Sequence, residues 1–329
     1  MKIFVSLGFV LCLLFGGCIS VTPNYIPTQG IVILSGSEES SEADYSSLLQ
    51  AEPSPEPPYI KWVDFNVPYT VLEKAYQYEV STYGKDIHLS MPELLAYVSV
   101  KNGNKFSSKR DVATLNKIAS RLKAGEKLEE IMEGNKYYAY HLEVYSTIFE
   151  NFLGEYTKDG VTKYGLIAAH PIAKGHWYNH FDDFGNARNF GYKRRHLGHD
   201  LFGGIGAPIM AIEGGIITEI GWNRYGGWRV GVRSFDNKRY YYYAHLRKDS
   251  PFAQGLEKGS AVEAGQHIGY LGVSGYSNKE NRNMKSAKPH LHLGLQLIFH
   301  PSQEKGSKEI WVDMYSITRL LEKNRVSIK

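Results

Sequence analysis

Two histidines separated by one residue, His290 and His292, mark the stretch of the sequence best suited to chemistry. They lie in AKPHLHLGLQLIF, where apolar residues recur at alternate positions and predict a β-strand. Because strand side chains point to opposite faces in turn, both imidazoles share one face and Leu291 lies on the other. Such a pair can bind a metal ion, or bind one through one ring and leave the other for proton transfer. A polar pair on a solvated sheet face is the alternative interpretation.

Two further polar segments precede this strand. His196 and Asp200 are separated by three residues, and Gly198 between them favours a turn that brings imidazole and carboxylate onto one centre. His245 ends an aromatic run, RYYYYAH. His196, Asp200 and one histidine of the later pair would supply two nitrogens and one oxygen. That donor set is a three-ligand zinc shell with a fourth position open for water, as catalytic zinc sites require.

The order of these motifs resembles the lysostaphin-type (LytM-domain) zinc endopeptidases of bacterial cell walls. The family pattern is His-x-Gly-x-Asp, Gly-x-Pro-x-x-Ala, Tyr-Ala-His-Leu, a Gly-x-x-Val-x-x-Gly-x-x-Ile-Gly hairpin and His-Leu-His. The chain carries the matching segments in the same order, at residues 196–200, 206–211, 243–246, 259–269 and 290–292. By this resemblance, His196, Asp200 and His292 bind zinc. His245 and His290 are then the catalytic pair beside the metal.

The resemblance implies a secreted or membrane-anchored zinc metalloendopeptidase that hydrolyses peptide bonds of bacterial peptidoglycan. No HExxH helix supplies a glutamate, so His245 and His290 must carry the protons, and the sequence does not distinguish base from acid. A non-catalytic scaffold or regulator of cell-wall remodelling is the main alternative, because the family contains members that have lost metal ligands. A zinc enzyme with another substrate and a binding lipoprotein are further alternatives. The intact set of five polar residues favours the enzyme.

The N-terminus predicts export. Residues 1–18 combine a single lysine with an apolar run that is shorter than the roughly 20 residues of a membrane-spanning helix, which indicates a signal peptide. Its end, LFGGC, resembles the lipobox of bacterial lipoproteins, although Phe15 stands where leucine is usual. Cys18 is therefore the predicted lipidation site, and the membrane is reached through that lipid anchor or through the leader. We expect an extracytoplasmic protein of the bacterial cell envelope, tethered to the outer face of the membrane.

The remaining chain divides by composition into three parts. Residues 19–58 are rich in Ser, Glu and Pro and predict a disordered tether. Residues 59–156 predict a helical domain, with helix starts near Pro68, Ser90, Asp111 and Asn135. Residues 160–329 form the predicted metallopeptidase domain. The expected fold class is thus α+β and multi-domain, an N-terminal all-α helical domain followed by a mainly antiparallel β domain of LytM type.

Within the β domain, short strands are predicted at residues 216–220, 228–232, 239–245 and 268–272, and a final helix passes through Leu320 and Leu321. Residues 160–190 are histidine- and aspartate-rich (His170, His176, His180, Asp182, Asp183) and could build a second metal site. Their lack of regular spacing favours a lead-in strand and a substrate-facing loop instead.

Charge adds one expectation about partners. The formal net charge is +4, yet residues 3–60 contain six acidic side chains and no Lys or Arg. The rest of the chain is therefore basic, which suits polyanionic surroundings such as a cell wall or membrane surface. No segment resembles a nucleic-acid-binding module, and we expect no nucleic-acid partner.

Overall fold

The computed structural model describes residues 58–189 and 193–328. The predicted signal peptide, the predicted lipidation site Cys18 and almost all of the predicted tether lie outside these residues. The described chain begins with five helices: α1 (Tyr69–Thr82), α2 (Met91–Asn102), α3 (Ser108–Lys123), α4 (Leu128–Ile131) and α5 (Lys136–Phe149). Among the described residues, no helix has the length and apolar character needed to cross a bilayer.

Local signals in the sequence account for several helix ends. The Ser90 side chain accepts a backbone N–H in the first turn of α2, and Gly103 ends that helix with a φ of +61°, which glycine adopts without strain. Asn135 caps α5 in the same way, accepting two backbone N–H groups. Helix α5 ends at Phe149, where the chain turns into the first strand.

Strands are the main regular structure of the remaining described residues. In the described residues they are β1 (Leu153–Lys158), β2 (Val161–Leu166), β3 (Tyr178–His180), β4 (Ala187–Asn189), β5 (Lys193–Arg195), β6 (His199–Gly203), β7 (Pro208–Met210), β8 (Gly215–Asn223), β9 (Gly227–Ser234), β10 (Arg239–Ala244), β11 (Ala261–Val262), β12 (His267–Tyr270), β13 (His290–Leu297) and β14 (Ile310–Val312). Helix α6 (Tyr315–Leu321) follows the last strand. The predicted fold class, helices followed by a mainly antiparallel β domain, is confirmed.

The main sheet has the strand order β11-β8-β9-β10-β13-β6-β3, and β14 also pairs with β13. Its neighbouring strands are antiparallel. Strand β13 lies between β10 and β6, and the register sets His292 opposite Asp200 on one side and opposite Ala244 on the other. Asp200, His292 and Ala244 therefore form one row across three strands, although Asp200 and His292 are about 90 positions apart in the chain.

Alternation along β10 separates a groove face from a core face. Tyr241 and Tyr243 are fully buried, whereas Tyr240 and Tyr242 line the groove above the sheet. Two of the four consecutive tyrosines therefore face the groove.

A buried ion pair joins the sheet to the helices. The Arg239 guanidinium is fully buried and donates to both oxygens of Glu213 at 2.8 Å. Its remaining nitrogen donates to the Thr147 carbonyl of α5 at 2.9 Å, and Asn151 and Tyr241 also donate to Glu213. The helices and the sheet belong to one compact unit, Pro57–Lys329. The division at residues 156–160 stays a prediction.

Candidate metal centre and catalytic groove

Three side chains converge at the row where β6, β13 and β10 meet. The distances are 3.1 Å from His196 Nε2 to Asp200 Oδ1, 2.9 Å from His196 Nε2 to His292 Nδ1 and 3.1 Å from His292 Nδ1 to Asp200 Oδ1. Two ligand atoms on a tetrahedral zinc with bonds of about 2.0 Å lie ~3.3 Å apart. The three atoms thus form a triangle of nearly the size that such an ion requires. They can hold a metal ion.

Glycine at position 198 makes this convergence possible. The turn between β5 and β6 brings the backbone of Gly198 against the His292 ring, and a Cβ added there would lie 2.6 Å from Nε2 of that ring. The same Cβ would lie 2.9 Å from the Leu293 carbonyl oxygen. Any larger residue would push the His292 ring away from the triangle, so the glycine of the His-x-Gly-x-Asp motif serves close packing.

Asp183 holds the far side of the His196 ring. Its Oδ2 lies 3.1 Å from His196 Nδ1, and its side chain is fully buried. Burial opposes a charge on His196, but hydrogen bonds to Asp183 and Asp200 outweigh it and raise the pKa of His196 to about 9. Arg188 contacts both carboxylates, with its Nη2 3.3 Å from Asp200 Oδ2. A carboxylate on the outer nitrogen fixes the tautomer that leaves Nε2 as a ligand.

His245 lies beside the triangle in an unusual backbone conformation. Its φ of +61° is left-handed, a state that costs free energy for a residue with a side chain. The backbone is held there by a hydrogen bond from its N–H to the Gly226 carbonyl at 2.7 Å. The ring Nδ1 is 2.8 Å from the Ser274 carbonyl oxygen, so Nδ1 carries the proton and Nε2 keeps its lone pair. Burial, followed by the nearby His290 and His292, lowers the pKa of His245 well below its usual range.

His290 completes the group. Its Nδ1 is 2.7 Å from the Lys288 carbonyl oxygen, which leaves Nε2 directed into the site, 3.9 Å from Asp200 Oδ1. The ring centroids of His245 and His290 are 4.8 Å apart. The five polar side chains singled out in the sequence are therefore all brought together.

An open groove of about 1650 Å³ runs over these residues. Its walls are aromatic and polar, and the aromatic side chains are Tyr225, Tyr240, Tyr242, Tyr276 and Trp311. This volume exceeds that of an ordinary small-molecule pocket, so the groove is large enough for an extended peptide.

Comparison with known proteins agrees with this geometry. Residues 194–304 match the profile of peptidase family M23. This segment is an M23 domain. The resemblance expected from the sequence motifs is thereby confirmed.

Two curated relatives are similar to part of this chain. An L-Ala–D-Glu endopeptidase of Bacillus subtilis is 38% identical over 146 residues, which cover 44% of this chain and 41% of the relative. Lysostaphin of Staphylococcus simulans is 39% identical over 99 residues, covering 30% of this chain and 17% of lysostaphin. The chain thus spans about two fifths or less of the length of these relatives.

A solved structure extends the likeness beyond the M23 domain. The LytM protein of Ruminococcus gnavus superimposes with a TM-score of 0.55 and covers 79% of this chain and 90% of its own, at 24% identity. At that identity the match shows the fold. Its coverage corresponds to about 260 of the 329 residues. Residues 1–57 and 150–329 together number only 237, so the match includes part of the helical region.

The histidine-rich lead-in to the M23 domain does not build a second metal site in the part of the chain that the structure describes, where His196, Asp200 and His292 are the one group of three suitable ligands. His180 instead lies on β3, with its Nδ1 2.7 Å from His199 Nε2. Sequence reasoning placed Asp183 in this lead-in segment but missed its contact with His196. Asp183 lies 13 positions from His196 in an irregular loop, and no periodicity connects the two.

Proposed function

We propose that the protein is an extracytoplasmic zinc metalloendopeptidase that hydrolyses peptide bonds of bacterial peptidoglycan. One observation carries the proposal: three ligand atoms lie 2.9–3.1 Å apart in the M23 domain. Two further histidines, His245 and His290, share the same groove.

The residues fit zinc better than a harder metal ion. Two imidazole nitrogens and one carboxylate oxygen are the donors of many catalytic zinc sites, whereas magnesium and calcium prefer oxygen donors. We assign His196, Asp200 and His292 as the ligands. When bound, zinc supplies the Lewis acidity that polarises a carbonyl and lowers the pKa of water.

The proton transfers are assigned to the remaining two histidines. His245 is neutral and has Nε2 free to accept, so it can take a proton from the attacking water. His290 presents Nε2 from the neighbouring position. In the imidazolium form, which carries a proton on both ring nitrogens, it can donate from Nε2 to the leaving amine, and the proton that water loses to His245 balances the one that the amine gains. The Ser274 carbonyl fixes the His245 tautomer, and the Lys288 carbonyl accepts from His290 Nδ1.

The substrate and the location follow from the relatives and from the leader. The two curated relatives are named as a peptidase of L-Ala–D-Glu bonds and as lysostaphin. We extend peptide-bond cleavage in the cell wall to this chain. Lipidation at Cys18, which would tether the enzyme to the outer face of the membrane, belongs to the same proposal. A signal-peptide leader would place even the unlipidated enzyme outside the cytoplasm.

The test combines metal analysis with wall digestion. Purified protein should contain about one zinc per chain and release new amino groups from peptidoglycan. Removing the metal with a chelator should stop the release, and added zinc should restore it. Fully zinc-loaded protein that releases no amino groups from any peptidoglycan tested would instead support the non-catalytic scaffold.

A further inference from the structure

Arg194 is a groove cation without an acidic partner among the described residues. The other buried or half-buried arginines of the groove are paired: Arg188 with Asp183, Arg229 with Glu219 and Arg233 with Glu304. Arg195 likewise has no acidic partner in the part of the chain that the structure describes, but it is exposed to water. Arg194 is half-buried, and its Nε, like those of Arg229, Arg233 and Arg247, is buried without a hydrogen-bond partner among the described residues. A buried guanidinium donor left unpaired costs free energy that an anion can recover.

The hairpin of β4 and β5 sets two positive charges side by side. Arg194 pairs in register with Arg188 across the two strands, so their side chains leave the same face as direct neighbours. Like charges at such positions destabilise a strand pair. Asp183 and Asp200 neutralise Arg188. Arg194 has no such carboxylate among the described residues, so its charge remains available to an anion in the groove.

Stacking contacts direct this cation towards the reacting groups. The Arg194 guanidinium lies over the Tyr276 ring, 5.1 Å from its centroid. The Tyr276 ring is in turn stacked on His245, with centroids 5.7 Å apart. On the other side, burial raises the pKa of Tyr242, and the charge of Arg194 is among the groups that oppose this rise. Two successive contacts, of 5.1 Å and 5.7 Å, therefore connect Arg194 to His245 through the Tyr276 ring. Two to three residues of an extended peptide, at about 3.5 Å each, span a distance of this size.

We propose that Arg194 binds a free carboxylate of the substrate, so that the groove selects peptides with an acidic group close to the cleaved bond over all-glycine peptides. The guanidinium offers paired N–H donors that match a carboxylate, and stacking on Tyr276 holds them in place. This inference rests on the proposed endopeptidase function and specifies its substrate class.

The experiment uses full-length, zinc-loaded protein and three peptides. One contains an L-Ala–D-Glu bond with a free carboxylate, the second is its carboxamide twin, and the third is pentaglycine. Wild type should cleave the acidic peptide with a kcat/KM roughly 10–100-fold above that of the carboxamide twin. Arg194→Gln should remove most of this difference by raising KM for the acidic peptide alone, and Arg194→Lys should restore part of it.

Arg247 provides the matched control. Its guanidinium is also half-buried and stacked on a tyrosine, Tyr270, at 4.2 Å, but it does not line the groove. Arg247→Gln should leave the preference for the acidic peptide unchanged.

The outcomes separate the two proposals. Two results with Arg194→Gln would overturn carboxylate binding while leaving the endopeptidase in place. One is an equal loss of kcat/KM on the acidic peptide and on its carboxamide twin, and the other is no loss of kcat/KM on either peptide. Wild type that prefers pentaglycine would also overturn it. Zinc-loaded wild type that cleaves none of the peptides and no peptidoglycan would overturn the endopeptidase itself.

Discussion

The Asp183 carboxylate and the His196 ring form an ion pair, with Oδ2 3.1 Å from Nδ1, and the Asp183 backbone carbonyl oxygen accepts a hydrogen bond from the same nitrogen at 3.2 Å. The opposite nitrogen of the same ring contributes one corner of the ligand triangle. Asp183 is therefore a positioning residue: it does not reach the metal position, but it sets the orientation of a residue that does. The functional site extends into a loop that carries no recognisable motif.

Replacing Asp183 with Asn should weaken zinc binding by roughly 10–100-fold, because the ring loses the negative charge beside Nδ1 that makes it a more basic ligand. A competition titration against a chromogenic chelator measures the affinity. Asp182→Asn is the matched control, since that neighbouring side chain is exposed. Equal affinities in wild type and Asp183→Asn would show that the carboxylate charge has no role in metal binding.

Gly198→Ala should abolish tight zinc binding while the domain stays folded. The new Cβ would collide with the His292 ring and with the Leu293 carbonyl, and the ring can yield more easily than the backbone. Gly204→Ala is the control, because a Cβ there meets nothing within 4 Å. Zinc content and circular dichroism together report the result, and stoichiometric zinc in Gly198→Ala would contradict it.

His245→Ala should keep zinc and the fold but lose hydrolysis by roughly 10²-fold or more, because the ring is assigned to proton transfer and not to the metal. Release of amino groups from peptidoglycan, measured beside zinc content, separates the two effects. His176→Ala, at an exposed position outside the groove, is the matched control. Full activity in His245→Ala would place the chemistry on another residue.

Arg239→Met should destabilise the protein by about 3–5 kcal/mol, because it leaves the Glu213 carboxylate buried without its counter-ion. Urea unfolding measures the loss. In the double variant that also carries Glu213→Leu, much of the lost stability should return, because no unpaired carboxylate is left buried. Arg121→Met, which breaks an exposed pair with Glu126, should barely change the midpoint. A single variant as stable as wild type would argue against the buried pair as a structural link.

His170 should make stability sensitive to acid. Burial lowers the pKa of this fully buried ring to about 4, so folding favours its neutral form. That contribution is complete above pH ~6.5, the pKa of an unfolded histidine, and is lost as the pH falls towards 4. The difference in unfolding free energy between wild type and His170→Gln should shrink over this window. A difference that is constant between pH 7.5 and 4.5 would refute the assignment.

Much of the site could be predicted from sequence because its ligands lie in short, regular motifs. The alternation around His290 and His292 placed both rings on one strand face, and Gly198 indicated the turn that joins His196 to Asp200. Helix starts at Ser90 and Asn135 were likewise predictable, since a cap depends on a few neighbouring residues. These features follow from local geometry, which the sequence by itself determines.

Tertiary structure alone decided the rest. The register of β13 against β6 and β10 set His292 beside Asp200 and brought His245 close to His290. Asp183 and Arg194 reach the site from an irregular loop and a short hairpin, where no period connects them to the ligands. Such contacts depend on how distant segments pack, because burial and hydrogen bonding act through space and not along the chain. The sequence therefore determined which side chains could do chemistry, and the fold decided which neighbours orient them.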